Sequence, residues 1–255
     1  MVALLLSRTE DAFAGLGRFG LLMASAFGQI RHVRLYYRNL AEQLVRVGID
    51  SLPIVALASA FTGAVAAVQA IYQLEGSFYL PATAVGSFVT TSVILELGAL
   101  IAAFILAGRV GARIAAELGT MRVTEQIDAL EAMGLNSASY LVLPRVLAGV
   151  LMFPVIYVVA CAVGIGMGGI VSVATGAISS QTFVSGARLL FRPYDVFFGV
   201  TKSLAFGFAI TSVACYYGYF TSGGAEGVGR STTKATVMAC VFVLLADYVL
   251  AVVML

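Results

Sequence analysis

Long, nearly uninterrupted apolar runs occupy 53–74, 82–108, 146–175, 196–220 and 235–255 of this chain. A helix needs roughly 20 mostly apolar residues to cross a hydrocarbon core of about 30 Å, and each run meets that length. The run 146–175 is long enough to tilt or bend. Lipid offers no partner for a free backbone amide, so spanning segments of this kind are helices rather than open strands. The pattern predicts an all-α integral membrane protein with about five transmembrane helices.

Residues 1–50 follow a different rule. Leu4, Leu5, Phe13, Leu16, Phe19, Leu22, Met23, Phe27 and Ile30 are punctuated by Arg8, Arg18, Arg31, Arg34, Arg38 and Arg46. That alternation predicts one or two amphipathic helices lying at the interface, with arginines near the headgroups. A sixth span over 13–30 is the alternative, but it is short and would bury Arg18. No basic residue precedes the apolar stretch 3–6, so this is not read as a signal peptide. The expected organisation is an N-terminal interfacial segment, 1–50, followed by a single transmembrane unit, 51–255. No internal repeat is visible.

Composition agrees with a bilayer as solvent. Hydrophobic residues make up 60% and charged residues 11%, and the mean hydropathy is +0.99. Soluble domains hold roughly 45–50% apolar and about 25% charged residues. The net charge of +2 gives no reason to expect a nucleic-acid partner. Cys161, Cys215 and Cys240 sit inside apolar runs without metal-ligand spacing, as small buried hydrophobes. The one histidine, His32, lies in a basic polar stretch and reads as a solvated interfacial residue.

Orientation follows from the basic residues. Twelve of the 15 Lys and Arg fall in the N-terminal region, between spans two and three, or between spans four and five. The connection after span one has none, and that between spans three and four has Arg188 and Arg192. By the positive-inside rule the N-terminus is cytoplasmic, and five spans put the C-terminus outside.

Chemistry-bearing residues are few. Glu96, Lys202 and Asp247 lie within spans, where a charge costs about 2.5–3.5 kcal/mol on insertion scales. Glu96 and Lys202 are candidates to line a wet cavity; a structural Glu–Lys pair is the other reading. Asp247 reads as a hydrogen-bonding partner for a neighbouring helix. Gly164 and Gly168 form a small-xxx-small pair that lets helices approach, within the chain or across a dimer. The Gly164–Gly169 stretch follows no strand and is not a dinucleotide loop. No Gly-x-x-x-x-Gly-Lys-Ser/Thr loop, Ser–His–Asp set or HExxH motif is present. The chain is therefore expected to be a non-catalytic membrane subunit that binds no cofactor of its own.

The segment 109–145 carries the most information. Thr124 can N-cap a short helix with Glu125 and Asp128 in its first turn, and Gly134 can end it. Ile127, Leu130 and Met133 or Gly134 then share one face, with Glu125, Asp128 and Glu131 opposite. Such a helix suits either contact with a cytoplasmic partner or an ordinary interfacial loop.

The run Gly108-Arg109-Val110-Gly111-Ala112-Arg113-Ile114-Ala115-Ala116-Glu117-Leu118-Gly119-Thr120-Met121-Arg122-Val123-Thr124-Glu125-Gln126-Ile127-Asp128-Ala129-Leu130 closely resembles the MlaE/YrbE family. These are permease subunits of ABC transporters that work with MCE-domain lipid carriers. The resemblance extends from about Gly48 to the C-terminus. It includes Glu96-Leu97-Gly98, Pro144-Arg145, Lys202-Ser203 and Gly229-Arg230-Ser231-Thr232-Thr233.

The resemblance implies a homodimeric permease of the bacterial inner membrane that moves phospholipid or a related lipid to a periplasmic MCE-domain protein. It implies a separate cytoplasmic ABC ATPase that binds ATP and Mg. It places a coupling helix over 117–133, with Glu117, Gly119, Arg122, Thr124, Glu125, Asp128 and Leu130 as its residues. Two departures from the family pattern stand in span two. Leu95 replaces an Arg and Ala99 a Pro, which bears on headgroup preference and removes an expected kink. With the resemblance, Glu96 and Lys202 are expected to line the lipid cavity, Lys202 meeting the lipid phosphate. The residues alone leave as first rival a stand-alone secondary transporter or channel; a membrane-embedded lipid enzyme lacks a catalytic constellation, and a structural anchor leaves the 109–145 motif unexplained.

Overall fold

A computed structural model describes residues 2–28, 37–75 and 81–255, with side chains for 14–28, 37–74 and 81–255. Ile30, Arg31, His32 and Arg34, and the side chains of Leu4, Leu5, Arg8 and Phe13, lie outside the described residues. The described residues fold into nine helices and no strand: α1 (Val2–Phe27), α2 (Tyr37–Val47), α3 (Leu52–Glu75), α4 (Thr83–Val123), α5 (Gln126–Ala132), α6 (Ser137–Ala174), α7 (Ser180–Leu189), α8 (Pro193–Tyr219) and α9 (Gly224–Met254). Five of them, α3, α4, α6, α8 and α9, are long and apolar enough to cross a membrane, and α1 contributes the shorter apolar stretch Ala14–Phe27.

The spans are longer than the apolar runs suggest. At about 1.5 Å per residue, the 41 residues of α4 reach roughly 62 Å and the 38 of α6 roughly 57 Å. The segment 109–145 is therefore not a loop. Span two continues through it as helix to Val123, and span three begins at Ser137, where Asn136 caps it by accepting from the Ser139 amide at 3.0 Å. The periodicity was hidden because Arg109, Arg113, Glu117 and Arg122 break the apolar run without breaking the helix.

Close packing rests on a few glycines. A Cβ on Gly63 of α3 would stand 1.9 Å from the Gly164 carbonyl oxygen of α6, and one on Gly168 would stand 3.1 Å from the Gly63 oxygen. The Gly164–Gly168 pair thus packs within the chain, against α3. Helix α7, which the hydrophobic pattern does not reveal, crosses α4 in the same way: a Cβ on Gly186 would meet the Thr83 oxygen at 2.1 Å, and Ser87 donates to the Gly186 oxygen at 2.7 Å.

Helix α1 docks its second half onto the bundle end that carries α5. Leu22, Met23 and Ala26 are buried there. The Ser139 hydroxyl donates to the Ser25 oxygen at 2.9 Å, and Phe19 meets Tyr216 edge-on at 5.8 Å. Leu16 and Leu21 remain exposed, as suits a helix with one face toward lipid.

Candidate functional site

Two charged centres stand out, one at mid-span and one at the α5 end. The first begins with the backbone of α4. Residues Val93–Leu97 form a π-helical turn, in which the Gly98 amide reaches back five residues to the Val93 oxygen. A wider turn loosens the regular carbonyl ladder. Side chains from neighbouring spans fill in: Cys161 donates to the Val93 oxygen at 3.7 Å, Tyr157 to Ile94 at 2.8 Å and Lys202 to Leu95 at 3.1 Å. Ala99, where the family pattern has a proline, lies in regular helix just after this π turn. A second π turn follows at Ala107–Gly111.

Lys202 then gathers the charges. Its ammonium, with the side chain 0% exposed, lies 2.7 Å from a Glu96 carboxylate oxygen and 2.5 Å from one of Asp247, with the Phe198 ring at 5.0 Å. The Asp247 contact is an ion pair by proximity rather than an aligned hydrogen bond. The ammonium donates to Glu96 and to the Leu95 oxygen, and one cation between two carboxylates leaves a formal charge of −1 when both acids are ionised. Lys202 does not face open space in the single chain. Glu96 does in part, its side chain 41% exposed against 18% for Asp247. Sequence reasoning brought Glu96 and Lys202 together; it missed Tyr157, which gives no signal inside an apolar run.

The second centre is built on Glu117. One carboxylate oxygen accepts from Arg113 at 2.9 Å and lies 3.5 Å from Arg46 of α2; the other lies 3.3 Å from Arg145 of α6. Arg46 also pairs with Glu42. Arg145 is buried and donates to the Leu141 oxygen at 2.7 Å. Glu117 therefore ties α2, α4 and α6 rather than facing outward. Gly119 also turns inward, where a Cβ would meet the Thr221 hydroxyl at 3.0 Å.

Beyond it, α4 breaks and α5 begins. Thr124 is not the N-cap: its hydroxyl returns to the Thr120 oxygen at 2.8 Å, within the helix it ends. Glu125 holds the N-cap position, with φ +60°, the left-handed region a non-glycine residue rarely occupies. Arg122 spans the break to Asp128 at 2.5 Å. Gly134, with φ +77°, ends α5; the amides of Gly134 and Leu135 donate to the Glu131 and Leu130 oxygens, a Schellman closure.

Ile127 is buried and Leu130 half-buried, whereas Met133 is exposed rather than sharing their face. Glu131 is anchored by Ser137, which donates at 2.7 Å, and Tyr219, at 3.0 Å. These bonds hold its carboxyl below the ordinary value, Ser137 contributing most. Val123, Thr124, Glu125, Asp128, Met133 and Leu135 remain on the outside. This rigid, apolar-and-acidic knob projects from the end of a spanning helix. No group of acids, histidines and cysteines suited to a metal occurs among the described residues.

The sequence model described as Permease MlaE matches residues 40–253. A probable ABC transporter permease protein of Rickettsia bellii is 37% identical over 243 residues, 95% of this chain and 93% of that one. A probable ABC transporter permease of Synechocystis is 37% identical over 229 residues, 90% and 86% of the two chains. The intermembrane phospholipid transport system permease protein MlaE of Haemophilus influenzae is 32% identical over 245 residues, 96% and 93%.

Proposed function

The chain belongs to the MlaE permease family, and on that premise we propose that it is the membrane subunit of an ATP-driven phospholipid transporter. The observation that carries this reading is the knob formed by the α4–α5 break. It is exposed, held by Arg122–Asp128 and by Glu131–Ser137–Tyr219, and continuous with a spanning helix. A stiff lever of this kind transmits rigid-body motion from a partner.

A cytoplasmic ABC ATPase docks on the outward residues Thr124, Glu125 and Asp128, with Val123, Met133 and Leu135 beside them. Glu117, Gly119, Arg122 and Leu130 set the knob's geometry from within. ATP and Mg are bound and used on that ATPase. The basic residues orient the N-terminus and α5 toward the cytoplasm and α7 and the C-terminus toward the periplasm of the bacterial inner membrane.

A second copy packs on the α9 stripe Val237, Val241, Leu244, Tyr248 and Val252, all exposed in the single chain. Phospholipid occupies the space between copies, its headgroup near the open side of Glu96, and a periplasmic MCE-domain protein receives or delivers it. Lys202 acts there through Glu96 and Asp247, as the cation both carboxylates contact.

The test is purification from the native membrane with Glu125→Lys and Asp128→Lys combined. The expected result is co-purification of a P-loop ATPase with the natural chain and its loss from the variant, with the fold retained. Equal retention by both chains sinks the docking assignment. Lipid transport in proteoliposomes holding this chain alone would install the stand-alone secondary transporter instead.

A further inference from the structure

A cleft of about 800 Å³ opens at the α7 end of the bundle, between α4, α6 and α7. That volume falls within the roughly 300–1,000 Å³ of small-molecule sites. Its floor is apolar, built from Ile94, Ile165, Ile170, Val173, Phe183 and Phe191. Gly166 hollows it, since a Cβ there would meet nothing within 4 Å, whereas one on Gly169 would crowd the Phe183 ring at 3.0 Å. The cleft faces away from the charged triad, since Ile94 and Glu96, two residues apart on one helix, point to nearly opposite sides.

Its polar lining is sparse: Thr90, Ser180 and Arg188. Thr90 is 6% exposed, and its hydroxyl is buried with no hydrogen-bond partner. Arg188, in the last turn of α7, is exposed and forms no hydrogen bond or ion pair with the described residues. A buried hydroxyl without a partner is unfavourable, and an exposed arginine fork is a ready match for phosphate.

We propose that this cleft is a lipid site on each protomer, apart from the triad, that takes an acyl chain of an anionic phospholipid along its floor and the phosphate on Arg188. The apolar floor excludes a free anion, which would be desolvated there without compensation. The unpaired cation distinguishes the site from ordinary lipid-facing surface, which would hold any chain equally. An apolar protein helix would cover the floor but leave Arg188 without an anion. The proposal needs only that the chain lies in a bilayer, so it stands or falls separately from ATP-driven transport.

The chain contains no tryptophan, so Phe191→Trp gives a single fluorescent reporter in the cleft. The full chain is placed in bilayers holding brominated phosphatidylglycerol or brominated phosphatidylcholine. The expected result is stronger quenching by the anionic lipid, an apparent preference of about fivefold for one cation near the surface. Arg188→Gln should abolish the preference while leaving quenching by phosphatidylcholine unchanged. Gly166→Leu, which fills open space without a clash, should lower quenching by both lipids, as a surface-charge effect alone would not. Equal quenching by the two lipids, or no response to Gly166→Leu with the fold intact by circular dichroism, overturns the proposal. So does a reporter shielded from both lipids in the native complex, which would assign the cleft to a partner's helix.

Discussion

Lys202→Met is the sharpest probe of the mid-span centre. The replacement keeps the side-chain length and removes the charge. Asp247 then loses its cation where its side chain is 18% exposed, and Glu96 loses its cation where 41% is exposed. Removing one partner of a buried pair costs about 3–5 kcal/mol, because the other charge is stranded; most of that belongs to Asp247, since water screens the Glu96 contact. At roughly 2–4 °C per kcal/mol for a chain of this size, Tm in detergent should fall by at least about 6 °C. Glu96→Gln should lower it far less. Lys202→Met combined with Asp247→Leu should recover most of the loss, because an apolar replacement of both partners strands nothing. Thermal unfolding followed by size-exclusion chromatography reads all three, with bound lipid measured on the same samples. A Tm for Lys202→Met within about 2 °C of the natural chain, with lipid lost, would refute the structural reading and make Lys202 a direct lipid contact.

Three further outcomes follow from the geometry. Glu117→Gln should lower stability by about 1–3 kcal/mol, chiefly through Arg145, which stays buried without its carboxylate; thermal unfolding checks it, and adding Arg145→Met should not lower it further. Gly199→Ala places a Cβ 1.9 Å from the Tyr157 hydroxyl, which donates to the Ile94 oxygen at 2.8 Å; overpacking of this kind costs about 1–3 kcal/mol, and pairing it with Tyr157→Phe should restore part of the Tm. Glu131 titrates below its ordinary value of 4.5, so its hold on α5 is complete above that pH and fades as pH falls through the lower folded value. Ser137→Ala should raise the Glu131 titration, read by carboxyl NMR, and shift the acid loss of α5 protection in hydrogen exchange to higher pH.

The five spans and the mid-span acids and lysine were legible because lipid allows so few solutions: apolar length dictates helix, and an intramembrane charge demands a partner. What the sequence hides is how charges are shared. Glu117, Glu125 and Asp128 look alike on a helical wheel, yet Glu117 is enclosed by three arginines from three helices while Glu125 and Asp128 stay outside, and only tertiary contact separates them. Thr124 had the chemistry of an N-cap, but its hydroxyl found the Thr120 oxygen, one turn back on a helix that the arginines had disguised as a loop. Helix α7 escaped notice for a different reason: it is only 10 residues long, too short to read as a span, and it joins α4 through close backbone contact at Gly186 and Ser87. The Thr124 misreading falls where α4 departs from a simple span, past π turns at Val93–Leu97 and Ala107–Gly111 and just before the left-handed residue Glu125. Local rules yield first where tertiary contact, rather than sequence spacing, decides how a charge or a backbone carbonyl is satisfied.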